Sequence, residues 1–462
     1  MFRLFKHYVP YAVVWLALIE FAALLLSAEA AWHLYAHLSD FDAGPIGDRW
    51  LPLFTFALAN SLAMMAVGMY GTAALRWLGF ATARLLAAIS LGVIFLSVLR
   101  FLLPAATLWR ANSFYAMLFA IGALFLIRLL LTQTAGADAF RRRILVLGAG
   151  PRAARLAALA AEPGSGLVIV GFVAMRASET AVPGALPRAA VASLADHAVA
   201  LGAGEVVLAI EDRRGALPLA DLLRVKTTGV HVNDIASFLE RETGRVDLAT
   251  TNPSGLIFSD GFSAGQRISK AGKRLFDIAA SLIVLVVGLP LVVVAGIAVK
   301  LDSKGPVFYR QPRVGLFGEP YDIVKIRSMR TDAEAAGQAV WASENDPRIT
   351  RVGRIIRKLR IDELPQTWCV LKGEMSFVGP RPERPSFVEE LTRELPFYAE
   401  RHMVKPGLTG WAQINYPYGA SVEDARAKLE YDLYYAKNYS PFLDLLILLQ
   451  TVRVVLWPEG AR

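Results

Sequence analysis

The sequence predicts a membrane protein of mixed α and α/β class. A four-helix transmembrane bundle is expected over residues 1–135, a Rossmann-like α/β domain over 136–262, and a third region over 263–462. That region is carried on an apolar helix, 273–300, which enters the bilayer and returns to the same side. Three observations support this expectation. Apolar runs of membrane length lead the chain. A strand, a glycine turn and an Ala- and Leu-rich helix follow in that order. A last long apolar run has cations at both ends and a proline in its middle.

At 462 residues the chain exceeds one ordinary domain, and 55% hydrophobic residues point to an integral membrane protein with soluble parts. The net charge of +9 suits a membrane face carrying anionic lipid, or a phosphorylated substrate. It lacks the basic-aromatic arrangement of a nucleic-acid module, so no nucleic-acid partner is expected. Cys369 is the only cysteine, which excludes an intramolecular disulfide and a cysteine metal cluster. The first apolar run is of membrane length and reads as a retained anchor rather than a signal peptide.

The leading runs are 9–28, 51–70, 85–103 and 114–131, each near the ~20 residues that cross a bilayer. Arg3 and Lys6 precede the first, Arg76 and Arg84 separate the second and third, and Arg141, Arg142 and Arg143 follow the fourth. The first outer loop carries Asp40, Asp42 and Asp48. The cation bias places both ends of the bundle in the cytoplasm, with Arg100 and Arg110 running against it. Glu20, inside the first run, is expected to find a packing partner on a neighbouring helix; the alternative is a functional intramembrane acid.

In the middle part, 144–147 is a short strand, Gly148-Ala149-Gly150-Pro151 a tight turn, and 168–173 and 205–210 are further strands. Strands alternating with helices mean a parallel, doubly wound sheet. The glycine turn fits a dinucleotide fingerprint. An acid should then end the second strand to hold a ribose, but Met175-Arg176 stands there. A turn retained for packing is favoured; Arg176 beside a 2′-phosphate is the alternative.

In the third part, Lys273-Arg274 precede the apolar run, Lys300 and Lys304 follow it, and Gly288-Leu289-Pro290 interrupts it. A mid-helix proline removes a hydrogen bond and kinks the axis. Re-entry satisfies both the kink and the flanking cations; a fifth spanning helix is the competing reading. The run 441–457, broken by Asp444, Gln450 and Arg453, reads equally as an interfacial amphipathic helix or a core helix.

The chemistry-bearing stretch is 360–384, RIDELPQTWCVLKGEMSFVGPRPER. Asp362 and Glu363 lie among Arg354, Arg357, Lys358 and Arg360, just ahead of Leu364-Pro365. Proline fits a first helical turn and Asp an N-cap, so the pair is expected at a helix N-terminus. An ionised Asp can attack phosphorus or bind Mg²⁺ through oxygen. Arg381, fixed between two prolines, suits bidentate contact with phosphate. Lys325 and Arg327 follow a short strand and offer further cations. The loop from Lys405 through Trp411 to Gln413 either shapes a nucleotide or sugar pocket or packs. Each motif alone is more often a solvated surface feature.

Together, the strings KRLFDIAASLIVLVVGLPL, KIRSM, DELPQ, LKGEMSFVGPRPE, KPGLTGWAQI and YDLYYAKN, in that order, resemble the polyprenyl-phosphate hexose-1-phosphate transferases, the monotopic phosphoglycosyl transferases. The four helices and Rossmann-like domain ahead of them resemble the large, exopolysaccharide-initiating branch, and 244–262 resembles its linker. The resemblance implies a monotopic catalytic domain with a re-entrant membrane helix kinked at Pro290. It implies transfer of a sugar-1-phosphate from a UDP-sugar to undecaprenyl phosphate, with UMP released and an aspartyl-phosphosugar intermediate. Asp362 would be the nucleophile and Mg²⁺ ligand, assisted by Glu363. Lys325, Arg327, Arg357 and Arg381 would bind phosphate, Asp432 would fill the acidic position before the Tyr-Tyr pair, and Lys405 would stand for a frequent Arg. Membrane lipid and a homodimeric second copy complete the expected partners. The expected location is the bacterial inner membrane, multi-pass, with the catalytic domain on the cytoplasmic face. Three positions depart from the family pattern: Leu289 replaces a Ser before the kink proline, Glu374 replaces an Asp, and INYPYGASVEDA follows Gln413. Two other classes compete. A membrane-anchored NAD(P)-dependent oxidoreductase would need a Tyr-x-x-x-Lys beside the glycine turn, and none is well placed. A non-catalytic export scaffold would turn over no UDP-sugar.

Overall fold

The computed structural model describes residues 2–4, 7–9, 11–70, 78–134, 141–162, 165–211, 217–251, 267–331, 346–417, 419 and 421–456. They form two compact units, Met1–Thr243 and Gly244–Arg462.

In the first unit a short hairpin, β1 (Phe2–Leu4) with β2 (His7–Val9), precedes four long apolar helices: α1 (Tyr11–Leu38), α2 (Trp50–Val67), α3 (Leu78–Leu102) and α4 (Arg110–Thr134). Each is long and apolar enough to cross a membrane. α1 packs on α2 and α4, and α3 on α2 and α4. Small residues at the contacts, Ala28 and Ala31 on α1 and Ala57 and Ala63 on α2, are fully buried and let the backbones approach. Glu20 accepts a 2.7 Å hydrogen bond from Nε of Arg128 on α4, and both are buried. The intramembrane acid thus has its packing partner.

The α/β part follows: β3 (Arg142–Leu147), α5 (Pro151–Ala161), β4 (Leu167–Ala174), β5 (Leu186–Pro187), α6 (Leu194–Ala200), β6 (Glu205–Leu208), α7 (Leu219–Thr227), β7 (His231–Asp234) and α8 (Ile235–Thr243). The strands form one parallel sheet of order β5-β4-β3-β6-β7, with apolar layers on both faces. Gly148 has φ 120°, and a Cβ there would stand 2.7 Å from the carbonyl oxygen of Ala209. Glycine is therefore needed for the turn itself. The Ala149 amide beside it donates to Glu179 Oε2 at 3.0 Å, and the Met175 amide to the same oxygen at 2.9 Å. The protein's own carboxylate occupies an amide that a pyrophosphate would need.

The second unit begins earlier than the 262/263 boundary read from sequence. The Val246 amide donates to the Glu430 carbonyl at 3.0 Å. Val246 and Leu248 are buried in one core with Trp411, Leu433, Tyr434, Tyr435, Leu443 and Ile447. Residues 252–262 of the expected linker lie outside the described residues.

α9 (Arg267–Asp302) is one continuous helix with Pro290 inside it. Asp277, Ser281, Gly288, Ala295 and Val299 form a buried stripe at helical spacing, while Ile283, Val286, Val287, Val294 and Leu301 are exposed on the other side. The domain touches this helix along its length. Near the start, Lys273 Nζ donates to the Val378 carbonyl (3.1 Å) and Asp444 (2.6 Å), and Asp277 accepts from Ser376 Oγ (3.0 Å) and the Phe377 amide (3.1 Å). Near the end, Ala295 and Val299 pack with Ile326 and Ile356, and Asp302 accepts from the Val352 amide at 3.0 Å.

A hairpin, β8 (Phe308–Val314) with β9 (Pro320–Ile326), leads to α10 (Arg351–Lys358), a 3₁₀ turn (Ile361–Gln366), α11 (Thr367–Lys372) and β10 (Ser376–Val378). α12 (Pro385–Glu394), β11 (Gly407–Thr409), α13 (Trp411–Asn415), α14 (Val422–Asn438) and α15 (Pro441–Leu456) complete the unit. Buried Leu443 and Ile447 make α15 a core helix, and its Asp444 is spent on Lys273 and Tyr435.

Candidate active site

A cleft of about 1310 Å³ opens in the second unit between the hairpin, the end of α10, the 3₁₀ turn and α14. That exceeds the roughly 300–1,000 Å³ usual for one small ligand. Its carboxylates are Asp362, Glu363, Glu383 and Asp432; cations from every wall outnumber them, among them Lys325, Arg357, Lys358, Arg360, Arg381 and Arg384.

The turn that carries the two central carboxylates is set by Arg360. Its φ of 56° is left-handed, and it reverses the chain between α10 and the 3₁₀ turn. The cations ending α10 and the acids of the turn consequently line one cleft. Arg360, not Asp362, is the cap residue, so Asp362 lies inside the turn rather than at the N-cap read from sequence.

The two acids differ in their partners. Glu363 Oε1 accepts from Lys325 Nζ at 3.0 Å and lies 3.5 Å from Arg381 Nη2 and 3.8 Å from Arg360 Nη1. Burial pushes this carboxyl up, but Arg381, Lys325 and Arg360 outweigh it and hold it at about 2. Asp362 is 8% exposed, and its Oδ1 has no hydrogen-bond partner among the described residues. Burial pushes its carboxyl above the usual range and the Glu363 charge adds to this, with Lys325, Arg357 and Arg360 opposing. Burial likewise pulls Lys325 down, against the pull of Glu363. Environments that separate two neighbouring carboxyls give them separate roles. Glu363 fixes the cations; Asp362 keeps a buried oxygen without a partner among the described residues.

Arg381 reaches the cleft from the opposite wall. Its backbone carbonyl accepts from Arg401 Nη2 at 3.0 Å. Arg401 is buried, pairs with Asp432 Oδ2 at 2.6 Å through the same nitrogen, and donates from Nη1 to Tyr398 Oη at 2.9 Å. Asp432 thus borders the cleft as the counter-ion of Arg401. The sequence reading missed Arg401, together with Arg313, Glu383 and Lys428, which also line the cleft. Only the Asp432 position hinted at Arg401, and nothing in a single chain pairs residues thirty-one apart.

Arg327 lines the cleft but is occupied. Its guanidinium donates to the carbonyls of Ser303 (2.8 Å) and Lys304, closing the end of α9. Lys405 is not among the cleft residues; burial lowers its ammonium, with Arg274 nearby adding to this. Trp411 stacks on Tyr434 and donates to the Gly244 carbonyl at 2.6 Å, so the loop around it packs. Pro290 lies within α9, outside the cleft. Among the described residues no cluster of three His, Cys, Asp or Glu side chains could hold a metal. Mg²⁺ is commonly bound by one or two carboxylates together with substrate phosphates and water, and Asp362, with one oxygen unpartnered, is a carboxylate of that kind.

The second unit thus holds a cation-lined cleft around two adjacent carboxylates, in a domain packed along an apolar helix. The bacterial sugar transferase family model matches residues 268–458, and the chain belongs to that family. It is 44% identical over 241 residues to the UDP-N-acetylgalactosamine-undecaprenyl-phosphate N-acetylgalactosaminephosphotransferase of Aeromonas hydrophila, covering 52% of this chain and 56% of that protein. It is 44% identical over 187 residues to the UDP-glucose:undecaprenyl-phosphate glucose-1-phosphate transferase of Klebsiella pneumoniae, covering 40% of each. An uncharacterized sugar transferase of Bacillus subtilis is 43% identical over 194 residues, covering 41% of this chain and 90% of that protein. The chain thus spans about half or less of the length of the first two.

Proposed function

We propose that the chain transfers a sugar-1-phosphate, a hexose derivative, from a UDP-sugar to undecaprenyl phosphate at the cytoplasmic face of a bacterial inner membrane, opening exopolysaccharide assembly. The observation that carries this reading is the uncommitted Oδ1 of Asp362 beside a Glu363 already saturated with cations. A carboxylate oxygen of Asp362 attacks the sugar-proximal phosphorus; the bond to the UMP oxygen breaks and UMP leaves. The carrier's phosphate oxygen then attacks the same phosphorus and frees the aspartate, giving a polyprenyl-diphosphate sugar. A carboxyl held up by burial is a stronger base and nucleophile than an exposed one. Arg357 and Arg381 face the phosphates, and Lys325 and Glu363 hold the second wall in place. Mg²⁺ on Asp362 would neutralise charge on the diphosphate.

The membrane reading rests on α9. A helix crossing the bilayer would leave its two ends on opposite sides, yet one domain grips α9 near Lys273 and near Asp302. Its exposed apolar face then enters the bilayer from one side, with the cleft at the interface.

The test is UMP release from a panel beginning with UDP-glucose and UDP-N-acetylgalactosamine, with and without undecaprenyl phosphate. Wild type should give a stoichiometric UMP burst without acceptor and a phosphosugar adduct on Asp362. Asp362→Asn should lose both; a burst of normal size from that variant would sink the proposal.

A further inference from the structure

A second concavity of about 270 Å³ lies behind the nucleophile's turn and is predominantly apolar. Its walls are the middle of α9 (Val284, Leu285, Gly288, Leu289, Val292), the Leu364-Pro365 that directly follows Glu363, and Trp368. The hairpin divides it from the cleft by the alternation of a strand. Tyr309, Gln311 and Arg313 line the cleft, Arg310 lines the groove with Val324, its partner across the ladder, and Phe308 borders both. Phe308 is the one residue that lines both concavities, and one exposed cation, Arg310, stands among the groove's apolar walls.

Leu289 and Trp368 are 60% and 50% exposed at this groove, on the side where α9 presents its apolar face. A soluble sugar nucleotide has no hydrocarbon chain to lie along an apolar slot. A phosphate joined to a hydrocarbon chain has both parts: a headgroup for the cleft and a tail for the slot. Resting on the proposed reaction, we infer that this groove binds the first isoprene units of the polyprenyl acceptor, with Phe308 at the corner where headgroup meets tail. The groove thereby selects a phosphate carried on a hydrocarbon chain and delivers it to the far side of the turn bearing Asp362.

The experiment uses the full chain in detergent micelles, with the UDP-sugar chosen by the UMP-release panel. Leu289→Asp and Trp368→Asp place a charge in the groove from exposed positions. Two readouts are taken: the acceptor-free UMP burst, and the KM for undecaprenyl phosphate and for geranyl phosphate, which carries only two isoprene units. The KM for both acceptors should rise roughly tenfold or more, with the burst retained. An unchanged KM overturns the inference, and would mean that the groove holds phospholipid or nothing. A rise for undecaprenyl phosphate alone also overturns it, because the effect would then come from the bulk hydrocarbon phase. Loss of the burst in both variants overturns it in favour of a groove that only shapes the nucleophile's turn. Absence of the burst in wild type refutes the reaction itself, a distinct result.

Discussion

The pair Arg401–Asp432 should couple the folding of the cleft to its chemistry, and Asp432→Asn isolates that coupling. Both side chains are buried, 2.6 Å apart. Arg401 also holds the Arg381 carbonyl at 3.0 Å and the Tyr398 hydroxyl at 2.9 Å. Removing one member of a buried pair strands the other's charge and costs about 3–5 kcal/mol. Asn can still accept one hydrogen bond, which places the expected loss near the lower figure, about 3 kcal/mol. Chemical denaturation in micelles, followed by tryptophan fluorescence, measures it. Replacing both members with apolar residues, Arg401→Met with Asp432→Leu, removes the stranded charge and should recover most of that stability. The Arg381 loop would still lack its anchor, so turnover should stay depressed with a raised KM for UDP-sugar. A loss below about 1 kcal/mol in Asp432→Asn, or a double variant with normal KM, would refute the reasoning.

Glu363 has a depressed carboxyl, about 2 against an ordinary 4.5, so its contribution is present above the ordinary value and is lost as pH falls from about 4.5 to about 2. The shift corresponds to at most about 3 kcal/mol; the loss of stability between pH 7 and pH 3 should be smaller in Glu363→Gln than in wild type, and equal losses would contradict the assignment. Asp362 is shifted upward, so acceptor-free UMP release should fall with acid above the ordinary Asp range, and Asp362→Glu should not restore the wild-type rate. Gly150→Val in the α/β part should leave UMP release intact, because the neighbouring Ala149 amide is already held by Glu179; rescue of a dead variant by added nicotinamide cofactor would reverse that view. Single cysteines at Lys270 and Lys300, in a Cys369→Ser background, should both resist an impermeant thiol reagent in sealed spheroplasts, and labelling of one end alone would mean that α9 spans.

What was legible in the sequence was what depends on local pattern. Apolar runs of membrane length became α1 to α4, and the strand–glycine–helix order became the parallel sheet, because hydrophobic period and turn chemistry act over a few residues. Asp362, Glu363, Lys325, Arg357 and Arg381 line one cleft. The partners of long side chains were not legible. Lys325 and Arg327, two apart at the end of β9, read as a matched pair of phosphate ligands. Yet Lys325 reaches Glu363, while Arg327 is drawn to the carbonyls left open where α9 stops. Lys405 carries the right charge in a motif loop and still lies off the cleft, because Trp411 packs that loop into the core. Position along a strand or loop limits where a cation can reach; the unsatisfied groups of distant elements decide where it goes. Among the cleft's carboxylates, Asp362 differs because no distant element supplies its buried Oδ1 with a partner.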